Sequence, residues 1–187
     1  MSEVRREDKG TALPIDRPVD LDPYMGELEL QTEFALRCLK EVQERTDAGT
    51  NDSFTLALAH AALVFAGHVS KLFFPARGKT RSRQRGELLR QELGVTEKCA
   101  LANRRLRNHL EHFDEQLDNY VMTDRAVGFC PFFITPGMPG QVRTDDGREF
   151  EVHFLRGLDT SRLALVFLGE EVELRSLVAD LTRVHEA

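Results

Sequence analysis

The sequence predicts an α+β protein, mainly α: a bundle of about four helices followed by a small antiparallel β-sheet with a C-terminal helix. Three observations predict it. From Tyr24 to Tyr120 apolar residues return at helical spacing, with polar or Gly- and Pro-containing breaks between the runs. Beyond Asp124 that spacing gives way to Phe, Pro and Gly in close succession and to an Asp146-Gly147 turn signal. From Val172 to Val184 helical spacing returns. The 187 residues suffice for one core with an appendage, and 41% hydrophobic with 30% charged is a globular rather than a disordered composition.

Residues 1–22 are polar and non-periodic, with Pro14 and Pro18 among them and Pro23 just beyond, so a flexible N-terminal arm is expected. A first helix is predicted from Tyr24 to Thr46, carried by Leu28, Phe34, Leu36, Leu39 and Val42 and stopped by the polar run 47–52. Ser53 is the expected N-cap of a second helix reaching Phe74, with Pro75 as terminator. That helix is apolar on most sides, which suits the centre of a bundle. A basic connection follows, then a short helix from Arg83 to Leu93 ended by Gly94. Thr96, Glu97 and Lys98 open the longest predicted helix, to Tyr120. On it Leu106, Leu110, Phe113, Leu117 and Tyr120 fall within about 80° of one another at about 100° per residue. Residues 23–124 are thus the expected bundle. Residues 125–187 are the expected sheet and last helix, packed on the bundle or appended to it. There, Asp146-Gly147 joins strands at 141–144 and 149–154, Leu163–Phe167 is a third strand, and Val172, Leu174, Leu177, Val178, Leu181 and Val184 line the last helix.

The net charge of −6 conceals an asymmetry: residues 71–107 hold eleven Lys and Arg against three Glu, a local +8, which leaves −14 for the rest. That basic run, centred on Arg77, Lys79, Arg81, Arg83 and Arg85, is either a footprint for RNA phosphates or a solvated face paired with the acidic remainder. Cys38, Cys99 and Cys130 are odd in number and far apart, without a C-x-x-C pair. This argues against a disulfide framework and a thiolate zinc site, and fits a reducing compartment. No apolar stretch follows the charged N-terminus, so no secretory signal is expected. The apolar run from Ala57 to Phe74 is interrupted by His60, His68 and Lys71 and reads as a buried helix, not a membrane span. His60 and His68 are accordingly read as core or interface histidines. A cytoplasmic location is expected.

The chemistry-bearing segment is Arg107-Asn108-His109-Leu110-Glu111-His112, an Arg-x4-His pattern with a polar residue directly after the arginine. Cleavage of RNA by its own 2′-OH requires a proton taken from that hydroxyl, a proton given to the leaving 5′-oxygen, and stabilised charge on phosphorus. Histidine titrates near neutrality and can do the proton work. Arginine stays charged and offers paired donors to phosphate oxygens. No metal or other cofactor is required. Arg104-x4-His109 and Arg148-x4-His153 match the bare pattern too, but only Arg107 is followed by Asn and places its His within the best predicted helix.

Over residues 24–122 the chain resembles the HEPN superfamily through this motif in a long amphipathic helix. The resemblance implies a helical-bundle homodimer, in many members a metal-independent endoribonuclease of defence or toxin type, with motifs of both protomers lining one cleft. Carried over, Arg107 and His112 are catalytic and Asn108 supports them. Some HEPN proteins carry a Tyr two residues after the motif His, where a partner nucleotidyltransferase silences them. Here that position is Asp114, so control by that route is not implied and any protein regulator is unknown.

Helix geometry keeps alternatives open. Residues five apart diverge by about 140° on a straight helix, so Arg107 and His112 do not share a face. Arg105, Asn108, His109 and His112 cluster better, which makes Arg105-x6-His112 a rival pairing. Arg107 paired with Glu111 or Asp114 on a charged surface is the structural alternative. A helical-bundle metal site from His109, His112 and Glu115, completed by His60 or His68, is a second rival, and a non-catalytic RNA-, nucleotide- or protein-binding module a third.

Overall fold

Leu28, Thr32, Ala35, Leu39 and Val42, alternately four and three apart, bury one side of helix α1 (Asp22–Asp47). Phe34, expected on that stripe, lies on the outer side and is 37% exposed. A computed structural model describes residues 19–76, 80–103, 112–122, 128–130, 132–137, 141–143, 145–147 and 149–187. Helix α2 (Ser53–Phe73) is capped by Asp52, not by Ser53: the Asp52 carboxylate accepts from Thr55 N–H and Thr55 Oγ1, both at 2.9 Å. By length and apolar composition α2 is a candidate to cross a membrane. In the fold it is a core helix, with Leu56, Ala59, Ala62, Leu63, Ala66, Val69 and Phe73 buried.

Helix α3 (Thr80–Glu92) begins three residues before its predicted start, and Gly94, at φ +61°, turns the chain after it. Gly86 makes the approach of α3 to α2 possible: a Cβ there would lie 2.6 Å from the Phe73 carbonyl oxygen and 2.8 Å from Pro75 Cδ. Two α3 arginines satisfy carbonyls at the C-terminus of α2, where no helical donor is left. Arg85 Nη2 donates to Lys71 O at 3.1 Å, and Arg90 Nη1 donates to Phe73 O at 2.5 Å. Their guanidinium groups lie over the Tyr24 and Phe74 rings, and their positive charge suits a helix C-terminus.

The single helix expected from Thr96 to Tyr120 is not formed. Residues 97–99 turn, Ala100–Ala102 make one 3₁₀ turn, and Asn103 leaves it with extended backbone. Tertiary bonds hold that turn: Asp180 accepts from Ala100 N–H at 2.5 Å, and Ser70 Oγ donates to Leu101 O at 2.6 Å while Leu101 is buried. Local helix propensity yields to these contacts. Helix α4 spans Phe113–Val121.

The strands are β1 (Gly128–Cys130), β2 (Phe133–Thr135), β3 (Gln141–Arg143), β4 (Glu149–Phe154), β5 (Arg156–Asp159), β6 (Ala164–Phe167) and β7 (Glu170–Glu173), before helix α5 (Leu174–His185). They pair in the orders β1-β4-β3 and β2-β5-β6-β7. The β3–β4 hairpin and the β6 strand stand where predicted, with Gly147 at φ +84° in the turn. The expected antiparallel sheet is mixed, because β1 runs parallel to β4 and β2 parallel to β5. Both parallel ladders share one register, a shift of 24 positions (Gly128 opposite Val152, Phe133 opposite Gly157). Pro131, which has no N–H to give a ladder, falls between them in sequence. Val172, expected in the last helix, belongs to β7, and α5 starts two residues later.

Helices and sheet share one core. Leu158, Leu165, Leu174, Leu177 and Leu181 bury together with Leu39, Leu63 and Val69. Asp159, 1% exposed, ties the end of β5 down: one oxygen, Oδ1, accepts from Gly137 N–H, Ser161 N–H, Ser161 Oγ and Arg162 N–H at 2.7–3.2 Å. Burial works against its charge, but these donors outweigh that cost and hold the carboxyl below its usual range.

Two predictions follow from this packing. Gly86→Ala is expected to lower stability by about 1–3 kcal/mol, since the new methyl meets backbone that cannot swing away. Asp159→Ala, which removes the shared acceptor of four part-buried donors, is expected to cost about 1–3 kcal/mol. Urea midpoints at unchanged m-value check both; a shift near zero would refute the packing argument at that position.

Candidate functional site

Of the residues singled out in the motif, His112 is described; Arg105, Arg107, Asn108 and His109 lie outside the described residues, as do Arg77 and Lys79 of the basic run. His112 does not sit inside a helix. Its backbone, at φ −116° and ψ 42°, immediately precedes α4, and its side chain is 55% exposed. Its Nδ1 lies 3.8 Å from Glu115 Oε2, one turn into α4. Glu115 and Asp114 put negative charge in the first turn, where a helix N-terminus favours it.

Three basic-run residues are described. Arg81 and Arg83 are exposed on α3, with no carboxylate partner among the described residues. Arg85 is committed to Lys71 O and the Tyr24 ring, so it serves the α2–α3 junction. The charge run thus divides into structural and solvent-facing arginines that composition counts alike.

The structure surrounds the head of α4 with aromatic and basic groups from α2, β5 and β6. Phe113, directly after His112, packs on Phe167 of β6 with ring centroids 5.5 Å apart. Arg156, the first residue of β5, places its guanidinium 5.6 Å from the Phe113 ring centre and 5.8 Å from that of Phe167. His60 of α2 meets Phe167 edge-on at 5.2 Å. At the far end of α4, Tyr120 Oη donates to Phe154 O at 3.3 Å. Helix α4 is therefore seated on the sheet through Phe113 and Tyr120.

Beside this cluster lies a groove of about 480 Å³ between the first two turns of α2 (Ser53, Leu56, Ala57, His60) and Phe132 and Arg156. The register brings the last two together: the parallel ladder opens with Phe133 opposite Gly157, and Phe132 and Arg156 each directly precede that pair in sequence. Burial, with the Arg156 charge beside it, lowers the proton affinity of His60 below the usual imidazole value. A neutral imidazole next to a guanidinium offers a proton acceptor and an anion holder on one wall. His60 was expected in the core or an interface; it is half-buried and faces this groove. Arg156 carried no sequence signal, since it stands outside the basic run and the motif. His68, exposed, pairs through Nδ1 with Gln31 at 3.0 Å, away from His60. Among the described residues no three His, Cys, Asp or Glu side chains come together as metal ligands; His109 of the metal reading lies outside them.

The lowered affinity of His60 has a defined consequence for stability. Above pH 6.5, the imidazole reference value, folded and unfolded chains are both neutral at this position and its contribution is fully present. As pH falls the unfolded chain binds the proton first, and stability is lost until pH drops below the folded-state value. Thermal melts from pH 7.5 to 5 are expected to show a smaller loss for His60→Gln than for the wild type. Identical slopes would contradict a neutral His60.

Comparison with protein-family models, with curated proteins and with solved structures finds no match for this chain.

Proposed function

We propose that the chain is a HEPN-like, RNA-directed cytoplasmic protein, a homodimer acting as a metal-independent endoribonuclease of defence or toxin type. The observation that carries this reading is the position of His112. It stands exposed at the head of α4, five residues after Arg107, on a helix seated against the Arg156-bearing sheet. In this reading His112 removes the 2′-hydroxyl proton of RNA. The 2′-oxygen then attacks phosphorus, and the bond to the 5′-oxygen breaks as that oxygen takes a proton. Arg107, or Arg105 in its place, holds the phosphate oxygens, while Asn108 and His109 position the strand. Arg81 and Arg83, unpaired by carboxylates among the described residues, with Arg77 and Lys79 of the same run, attract the RNA backbone, while Arg85 stays committed to the α2–α3 junction. A second protomer supplies the opposite wall of the cleft.

A non-catalytic RNA-, nucleotide- or protein-binding module is the second reading, favoured by the open setting of His112, whose side chain lacks the enclosure that strengthens acid–base catalysis.

Cleavage of a broad RNA pool in EDTA, read on a denaturing gel, tests the proposal. His112→Ala and Arg107→Ala are each expected to lower the rate at least about 100-fold, with melting temperature unchanged. Loss with Arg105→Ala and retention with Arg107→Ala would select the rival pairing. Equal cleavage by wild type and all variants would refute the nuclease reading, and salt-sensitive binding without cleavage would favour the module.

A further inference from the structure

We propose that the groove between α2 and the β2–β5 edge binds a small organic oxyanion with a flat apolar body, its charged head held by Arg156 and His60. The inference rests on the groove alone and not on RNA cleavage at His112. Arg156 is prepared for an anion that the described chain does not supply. Its guanidinium lies over the Phe113 and Phe167 rings, which restrain the group while leaving its donors at the edge. No carboxylate among the described residues pairs with it. The acidic residue next to the groove in sequence, Asp52, does not line it and is bonded to Thr55 and Arg45. Arg162, by contrast, is paired with Glu171.

His60 adds a second polar group on the same wall. Its ring is fixed edge-on to Phe167, and it has no hydrogen-bond partner among the described residues. The remaining walls are apolar: Leu56 and Ala57 of α2 on one side, and Phe132, 42% exposed, on the other. Two convergent polar groups in an otherwise apolar groove of about 480 Å³ match a site for a small amphiphilic ligand rather than a bare ion. An exposed phenyl ring beside the opening suits a planar ligand body, which stacks with little loss of conformational freedom. A nucleoside monophosphate and a free aromatic acid or phosphate share this chemistry.

The test is an NMR titration of the full chain with inorganic phosphate, phenyl phosphate and adenosine 5′-monophosphate as separate probes. The proposal expects one of the two organic probes to bind at least ten-fold more tightly than inorganic phosphate and to shift the His60 ring signals. The tighter of the two identifies the source as nucleotide or free aromatic anion. Arg156→Gln is expected to weaken that probe at least ten-fold, while Arg37→Gln, on the exposed side of α1, leaves it unchanged. If Arg156→Gln alters the melting temperature, Phe132→Ala at its exposed position decides: it must weaken the organic probe and leave inorganic phosphate as it was. Absence of binding at millimolar concentrations, equal affinity for inorganic phosphate, or a folded Arg156→Gln that binds like wild type would each overturn the proposal.

Discussion

Helix α2 presents more apolar surface than any one neighbour can cover, and the rest of the fold is arranged around it. Each fully buried leucine or phenylalanine contributes about 1.5–3 kcal/mol relative to exposure, so leaving a side of α2 in water is expensive. Helix α1 covers one part, α3 and the 3₁₀ turn another, and Leu158 and Leu165 of the sheet join the same core. The stripe carrying Ala57, Val64 and His68 stays exposed. Near the start of that stripe, where Phe132 and Arg156 rise beside the first turns of α2, the groove forms. The candidate site is thus a consequence of how α2 is clad.

Arginine shows how one residue type is divided among different physical tasks. Arg85 and Arg90 close the C-terminus of α2, each giving a hydrogen bond to a carbonyl and a cation to an aromatic face. Arg162 sits in an exposed ion pair with Glu171, which contributes little in water, and Arg183 pairs with the largely covered Asp180 that also holds Ala100 N–H. Arg156 is stacked on rings without a carboxylate partner among the described residues, and Arg81 and Arg83 face solvent. Electrostatic attraction for an anionic ligand concentrates in the last two groups.

Much of the helical architecture is legible in the sequence because a 3.6-residue period needs only local information. The extent of α1 with three of its core positions (Leu28, Leu39 and Val42), the extent of α2, the Gly94 stop and the Asp146-Gly147 hairpin follow from spacing and turn chemistry. Spacing puts Phe34 and Leu36 on the buried face of α1, where Thr32 and Ala35 stand instead. Long-range constraints escape such a reading. Nothing local says that β2 lies parallel to β5, since alternation does not encode strand direction. Helix signals at Thr96 are overruled by Asp180, eighty residues away, bonding Ala100 N–H. The same limit applies to the site: His112 could be singled out for its chemistry, but its place ahead of α4 depends on tertiary context. Arg156 becomes visible only once the sheet brings it to Phe113, Phe167 and His60.

The central claim is that helices and sheet fold as one unit seated on α2, since the groove exists only where the two meet. Native-state amide hydrogen exchange across a urea series measures this directly. The account predicts that Leu63 and Ala66 in α2 and Leu165 and Val166 in β6 exchange through one global opening, with the same free energy and urea dependence. Exchange of the β6 amides through a separate, smaller opening while α2 stays protected would contradict it.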